Sequence, residues 1–466
     1  VKDSDIYPRI HESPKTIEAY AEALEAGAIF PPILVQRIKT NDGKAYTTFL
    51  DGIHRARAYE QIKRKEIEAQ YWKDEVLEKE KWLTQLQLES AKRNSIHGDR
   101  LSRSDKENQA RKVCERNPDI TEQEIADALG VSQKTVSNWV SDIKLRQKAE
   151  RQAIIYKLNL LGWTQEEIAE VVGLARSTVA ERMSDLPELL KLTSSLLDRG
   201  ESVEKVAEKL KIELILAWAI LLDGKDDLER FKLFGVGEYQ NIAPQPYNVW
   251  NFMRRDPRLG LKVPGNIPGQ IAMNVLYYYA NQEGKERKLV VDPMAGGGST
   301  VDACLVMGRK CRAYDINPPK ERDDILKHDI REGFPREAKG CDLIFLDPPY
   351  WRLQREFYTK ESVSANPVDE WRRFMKKVAI DSYATVKNGG YVALVIEAFL
   401  DELVTGKFLD LPFECATWFK NTGFEEVQRI GVPMPSEIKS DLDVVRYQKK
   451  KVMLDLNRDL LIFKKE

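Results

Sequence analysis

The sequence predicts a multidomain protein: a small α/β domain, an all-α helix-turn-helix array, and a C-terminal α/β domain built on an open sheet. Three observations carry that expectation. Helix and strand patterns alternate within the first 75 residues, around an Asn41-Asp42-Gly43 turn. One set of residue offsets recurs three times, at a spacing of about 40 residues, between Ile125 and Ala217. Further on, two apolar runs end in an acid followed by proline. Leu289-Val290-Val291 runs into Asp292-Pro293, and Asp342-Leu343-Ile344-Phe345-Leu346 runs into Asp347-Pro348-Pro349-Tyr350.

A length of 466 residues suits roughly two to four domains, and a hydrophobic fraction of 42% is enough for ordinary cores. Lys plus Arg number 73 against 74 Asp plus Glu, so bulk charge does not announce nucleic acid and any binding face must be local. Five scattered cysteines argue against a disulfide framework and fit a reducing cytoplasm. No apolar run approaches the roughly 18 residues of a membrane helix, so no membrane association is expected. The opening Val1-Lys2-Asp3-Ser4-Asp5 does not read as a signal peptide. No metal is expected.

Residues 1–75 form the first expected domain. A helix pattern covers 16–26, and strands cover 31–38 and 46–50. Then comes Asp51-Gly52-Ile53-His54-Arg55-Ala56-Arg57. Gly52 permits a tight turn, and His54, Arg55 and Arg57 follow at a helix start, an arrangement able to cradle an anion. The other reading is that Arg55 and Arg57 simply make surface ion pairs. The stretch, with the Pro-Pro-Ile-Leu-Val strand before it, resembles the Gly-x-x-Arg box of the ParB-like N-terminal domain. That resemblance implies an anion-binding box at Gly52, His54, Arg55 and Arg57, with a nucleotide as a partner to be tested, and no activity.

Residues 76–100 read as a charged connecting helix. Beyond it, Ile125-Ala126, Gly130-Val131-Ser132 and Thr135-Val136 set a pattern. It is repeated by Ile168-Ala169, Gly173-Leu174-Ala175 and Thr178-Val179, and again by Val206-Ala207, Lys211-Ile212-Glu213 and Leu216-Ala217. An alanine for close helix packing, a turn glycine four residues on, and a β-branched contact on the next helix describe a helix-turn-helix. Expected units are 101–148, 149–186 and a degenerate repeat at 187–224. Gln133, Lys134, Ser137 and Asn138 stand where a first recognition helix meets duplex DNA. Arg176, Ser177, Glu181 and Arg182 hold those positions in the second. Residues 143–157 carry a basic excess that includes Lys144 and Lys157. The third copy lacks the glycine, and its apolar second helix reads as packing or dimerisation, so a homodimer is a further expectation.

Residues 225–466 form the last expected domain. The run Asp292-Pro293-Met294-Ala295-Gly296-Gly297-Gly298-Ser299-Thr300 joins a strand to a helix over 301–307. Its glycines let a ligand approach the backbone, and its spacing fits neither the dinucleotide pattern nor a P-loop. An acid, two prolines and an aromatic at a strand end can accept both N–H groups of an exocyclic amine and stack on a flipped base. No Pro-Cys pair supplies the thiolate that carbon-5 methylation of cytosine requires.

Together these motifs resemble those of the amino-methylating DNA methyltransferases that use S-adenosylmethionine, roughly Asp-Pro-Phe-x-Gly-x-Gly-Thr followed by Asp-Pro-Pro-Tyr. Met294 and Ser299 are mild departures. The resemblance covers residues 247–466 and implies a Rossmann-like class I methyltransferase fold. It implies cofactor contacts from Asn266, Ile267, Pro268 and Gln270, which open a helix over 271–279. Asp292, Pro293, Ala295, Gly296, Gly298, Ser299 and Thr300 would form the cofactor turn, with Asp347 beside it. Asp315 and Ile316 would meet the ribose hydroxyls, and Asp329 and Ile330 the adenine. Catalytic roles fall to Asp347, Pro348, Pro349 and Tyr350.

Strand 389–396 and a closing pair at 424–431 and 459–464 complete the expected sheet. Two loops, 351–369 with Arg352 and 432–456 with Lys449 and Lys450, remain for the target. The reading is therefore a DNA methyltransferase for adenine N6, with site selection shared by the upstream modules. Alternatives are methylation of cytosine N4, an RNA methyltransferase, and a ParB-like regulator with an inactive methyltransferase domain.

Overall fold

The computed structural model describes residues 1–96, 100–235, 243–252, 254–263, 267–281, 286–349, 367–401, 407–434, 441–450 and 456–466. The chain divides into two compact units, Val1–Ala149 and Glu150–Glu466.

The first unit runs α1 (Pro14–Glu25), β1 (Ile33–Lys39), β2 (Ala45–Asp51), α2 (Ile53–Gln61), β3 (Ala69–Tyr71), β4 (Leu77–Glu78), α3 (Lys79–Ile96), α4 (Arg103–Arg116) and α5 (Glu122–Leu129), and ends within α6 (Gln133–Leu160). β1 and β2 form the expected antiparallel hairpin, with Gly43 at φ 87° in its turn. β3 and β4 add to β1 in parallel. Sequence reading missed both. Each has only two or three residues, and β3 is exposed throughout, so no apolar alternation marks it. Nor is α3 a mere connector. Leu83, Leu86 and Ala91 are buried, and Ser90 Oγ and Asn94 Nδ2 donate to the Leu50 carbonyl at 2.7 and 2.8 Å.

The second unit continues with α7 (Gln165–Val172), α8 (Arg176–Met183), α9 (Leu186–Asp198), α10 (Val203–Leu210), α11 (Leu214–Leu221) and α12 (Asp227–Phe234). The α/β part follows: α13 (Gly269–Tyr279), β5 (Leu289–Asp292), α14 (Ser299–Met307), β6 (Lys310–Asp315), β7 (Ile325–Lys327), β8 (Cys341–Leu346), α15 (Val368–Thr385), β9 (Val386–Glu397), β10 (Phe399–Asp401), β11 (Lys407–Leu409), α16 (Leu411–Asn421), β12 (Phe424–Pro433), α17 (Asp441–Lys450) and β13 (Asn457–Lys465).

Seven strands make one sheet in the order β12-β13-β9-β8-β5-β6-β7. The five strands from β9 to β7 are parallel, and β13 runs antiparallel to both β9 and β12. The chain starts at the middle, at β5, winds outwards to β7, and returns to β8 on the other side. That reversal between β5 and β8 is the switch point at which open α/β sheets bind ligands.

Side chains alternate across the sheet as the period of two requires. Val290, Leu343, Phe345, Ala393, Val395, Leu460 and Ile462 enter one core, and Val291, Ile344, Leu346, Val392, Leu394, Leu461 and Phe463 the other. α15 and α16 cover the second face with Trp371, Met375, Cys415 and Phe419. α13 and α14 cover the first, and the second and third helical repeats join the same core through Trp163, Ile168, Val179, Leu216 and Trp218. The second and third helical repeats thus belong to the same compact unit as the sheet.

Geometrically, all three repeats survive. Thr121 and Thr164 close capping boxes with Glu124 and Glu167, and Ser202 caps α10. Gly130, Gly173 and Lys211 then take left-handed conformations, with their amides bonded to the carbonyls of Ala126, Ala169 and Ala207. Lys211, at φ 53°, does without the glycine at some strain.

Candidate functional site

Two adjacent parallel strands deliver the principal groups. β8 ends at Leu346, so Asp347, Pro348 and Pro349 emerge at its carboxyl end. The Pro349 carbonyl accepts the indole N–H of Trp371 at 3.1 Å, which ties the tripeptide to α15. Tyr350, Arg352 and the rest of the loop to residue 366 lie outside the described residues. β5 ends at Asp292, and the glycine turn leads from it into α14. Gly296 and Gly298 have φ of 50° and 83°, conformations that L side chains rarely adopt.

Asp292 is 2% exposed, and its Oδ1 accepts the Met294 amide at 3.0 Å. Burial raises its carboxyl from 3.8 to about 7, and the charges of Asp347 and Asp315 push the same way. Hydrogen bonds from the Thr300 hydroxyl and the Met294 amide pull the other way, each more strongly than either neighbouring charge pushes, and burial outweighs them. Asp315, at the end of β6, accepts the Gly296 amide at 3.0 Å and the Asn317 amide at 2.8 Å. Three carboxyls from the ends of three strands therefore share one electrostatic neighbourhood.

Other expected cofactor residues divide. Ala295, Ser299 and Thr300 lie buried in the turn and first helical turn, and Ile267 is buried beside them. Ser299 Oγ lies 3.5 Å from the Leu259 and Ile267 carbonyls. Pro293 is buried and Ile316 half-buried, while Pro268 caps α13. Asn266 lies outside the described residues. Gln270 departs from expectation. Its Oε1 accepts the Asp256 amide at 3.3 Å and its Nε2 donates to the Arg254 carbonyl at 2.8 Å, so it anchors the preceding segment. Asp329 is gripped by Arg331, with Nε at 2.9 Å from both oxygens and Nη2 at 2.6 Å, which holds its carboxyl below the usual range. It also caps the short 3-10 turn that contains Ile330.

The anion box folds as the ion-pair reading has it. Gly52 sits at φ 89°, where a Cβ would lie 2.6 Å from Ile33 Cγ2. Arg55 binds Asp51 at 2.8 Å and the Pro31 and Pro32 carbonyls. Arg57 binds Glu12 at 3.1 Å and Glu60 at 2.9 Å. His54 is buried, and its Nε2 accepts the Ser13 amide, so that nitrogen carries no proton. Each of these side chains is engaged within the fold.

On α6, Gln133, Lys134 and Asn138 are exposed and Ser137 half-buried. On α8, Arg176 and Ser177 are exposed, with Arg176 paired to Glu166 at 2.8 Å. Arg182 is half-buried, with one guanidinium nitrogen enclosed. Lys157, counted in the basic excess, is 3% exposed and pairs with Asp324 and Glu213, each at 2.8 Å. Lys449 is exposed on α17, and the Lys450 side chain lies outside the described residues. Among the described residues no cluster of His, Cys, Asp and Glu could hold a metal, and no helix is long and apolar enough to cross a membrane.

No family model and no curated protein matches this chain. Among solved structures it is similar to TrmN from Thermus thermophilus, at 15% identity and TM-score 0.28 over 44% of this chain and 50% of that one. A second Thermus thermophilus protein, described as a DNA modification methylase and complexed with S-adenosyl-L-methionine, gives 13% identity and TM-score 0.21 over 29% and 51%. C-terminally truncated ParB from Caulobacter crescentus, bound to the centromeric parS site, gives 17% identity and TM-score 0.22 over 45% and 94%. The chain spans about half the length of the first two.

Proposed function

We propose that the protein is an S-adenosylmethionine-dependent methyltransferase acting on an exocyclic amine of a DNA base, adenine N6 in the first instance. The observation that carries this reading is the convergence of Asp347-Pro348-Pro349, at the end of β8, with Asp292 and the glycine turn, at the end of β5. The two strands are neighbours at the switch point of the sheet.

The cofactor suits the site's own chemistry. Asp292, Asp315 and Asp347 gather carboxyls at neighbouring strand ends, and burial plus its neighbours already strain the ionisation of Asp292. A cationic ligand relieves that strain. When bound, S-adenosylmethionine supplies an electrophilic methyl group on a sulfonium. Gly296 and Gly298 bring backbone close to it, and the second lone pairs of the Asp315 oxygens are placed for ribose hydroxyls.

On the substrate side, the Asp347 carboxylate and the Pro348 carbonyl accept the two amine N–H bonds. That draws the nitrogen lone pair out of ring conjugation and aims it, which is catalysis by position and electrostatics. Tyr350 stacks on the flipped base. Gln133, Lys134, Ser137 and Asn138, with Arg176 and Ser177, contribute to DNA recognition.

The test is incubation of purified protein with mixed-sequence duplex DNA and S-adenosylmethionine, followed by nucleoside mass spectrometry. N6-methyladenine supports the reading as stated. N4-methylcytosine changes the base and keeps the mechanism. Methylation of RNA in preference to duplex DNA overturns the substrate assignment.

A further inference from the structure

The glycine turn is held from beneath by a buried chain of charge that begins in the helical repeats. Lys157, on α6, is 3% exposed, and its Nζ lies 2.8 Å from Asp324 Oδ2 and 2.8 Å from Glu213 Oε2. Asp324, 2% exposed, takes the Arg322 guanidinium at 2.8 and 3.0 Å. Arg322, 6% exposed, passes on to Asp302 of α14 at 2.9 and 3.0 Å and reaches the Gly297 and Gly298 carbonyls at 3.4 and 3.5 Å. Asp302 in turn accepts the Gly260 amide at 2.6 Å, and the Leu261 amide bonds the Gly297 carbonyl at 2.8 Å.

The turn rests directly on that guanidinium, because a Cβ on Gly298 would stand 2.5 Å from Arg322 Nη2. Buried ion pairs are weak sources of stability, since desolvating the charges offsets most of their attraction. What such a chain does well is fix position. Arg322 is planar and spends its donors on two carboxylates and two turn carbonyls, so the turn cannot shift without breaking several charged bonds. Lys157 neutralises the far side of Asp324. Without it, Asp324 would be drawn wholly to Arg322, and the hold on Asp302 and the turn would slacken.

We propose that Lys157, Asp324 and Arg322 are positioning residues for the cofactor turn, so that the helical repeats form the floor of the cofactor site. The proposal rests on the cofactor reading above. It gives the repeats a role in cofactor binding that a docked DNA-binding module would not have.

The experiment compares wild type with Lys157→Met and Lys157→Arg. Amide hydrogen exchange over residues 295–302 is measured without ligand, and S-adenosylmethionine binding by calorimetry. In Lys157→Met, exchange across the turn should quicken and cofactor binding weaken by about tenfold, with Lys157→Arg restoring most of both. A purely structural role would lower the unfolding midpoint and leave turn exchange and affinity as in wild type, and that result overturns the proposal. If wild type binds no cofactor, the cofactor reading fails, while the exchange comparison still decides whether the chain of charge holds the turn. Should Lys157→Met not fold, Glu213→Gln, at the half-exposed rim, loosens the same lysine. It must then quicken exchange in the same segment, or the proposal is wrong.

Discussion

Arg312 and Glu167, separated by 145 positions, form a two-pronged ion pair, with Nε at 3.0 Å and Nη2 at 2.9 Å from the two carboxylate oxygens. Glu167 also closes the capping box of α7, and Arg312 stacks over the Trp163 ring at 5.0 Å. Trp163 in turn donates to the Cys311 carbonyl at 3.0 Å. α7, in the second helical repeat, is thereby fastened to the strand that ends in Asp315. Glu167→Ala should lower the unfolding free energy by about 2–4 kcal/mol, through the lost pair and the lost cap. Urea denaturation measures it, and an unchanged midpoint would show that this fastening does not stabilise the fold.

Asp347→Ala should abolish methyl transfer while cofactor binding persists, because the amine loses its acceptor and the turn keeps its own bonds. Calorimetry with S-adenosylmethionine beside a radiolabel transfer assay separates the two effects. Turnover like that of wild type would remove Asp347 from the mechanism.

Asp292 gives a pH signature. Its folded value near 7 lies above its ordinary 3.8. Below about pH 4 both states hold the proton. Between about 4 and 7 only the folded state does, so stability falls as pH rises, by at most about 1.4 kcal/mol per unit. Above 7 the loss is complete. Asp292→Asn removes this slope, so wild type minus variant stability should decline from pH 5 to pH 7.5. A flat difference would mean that Asp292 ionises normally.

Gly298→Ala combines a left-handed backbone at φ 83° with a Cβ placed against Arg322. It should cost about 1–3 kcal/mol or more and weaken cofactor binding with it. Gly130→Ala, at φ 60° with open space around it, isolates the backbone part and should cost less. Thermal unfolding of both variants decides; equal losses would mean that contact with Arg322 contributes nothing.

Lys134→Ala should weaken duplex binding about equally across sequences and reduce the salt slope by about one, if the lysine meets a phosphate. Gln133→Ala and Asn138→Ala should instead change sequence preference. Binding isotherms at several salt concentrations separate these effects. Three variants indistinguishable from wild type would exclude the first recognition helix from DNA contact.

By itself the sequence determined the kinds of elements and the places of the motifs. Strand alternation, turn glycines, capping Thr and Ser, and acids at strand ends are local features, set by steric and hydrogen-bonding rules within a few residues. Hence the hairpin at Gly43, the three helical repeats, the glycine turn and the strand before Asp347 were all legible. Tertiary structure alone decided which polar groups remain available. Lys157, Gln270, Asp329, Arg55, Arg57 and Arg182 look like ligand-facing residues in sequence, yet each finds a partner or burial within the fold. Pairing and desolvation depend on residues brought from far along the chain, as Asp324 is to Lys157, and no local pattern records them. The same cause hid the merging of the second and third repeats with the sheet. Their apolar faces announce burial, but only packing shows against what.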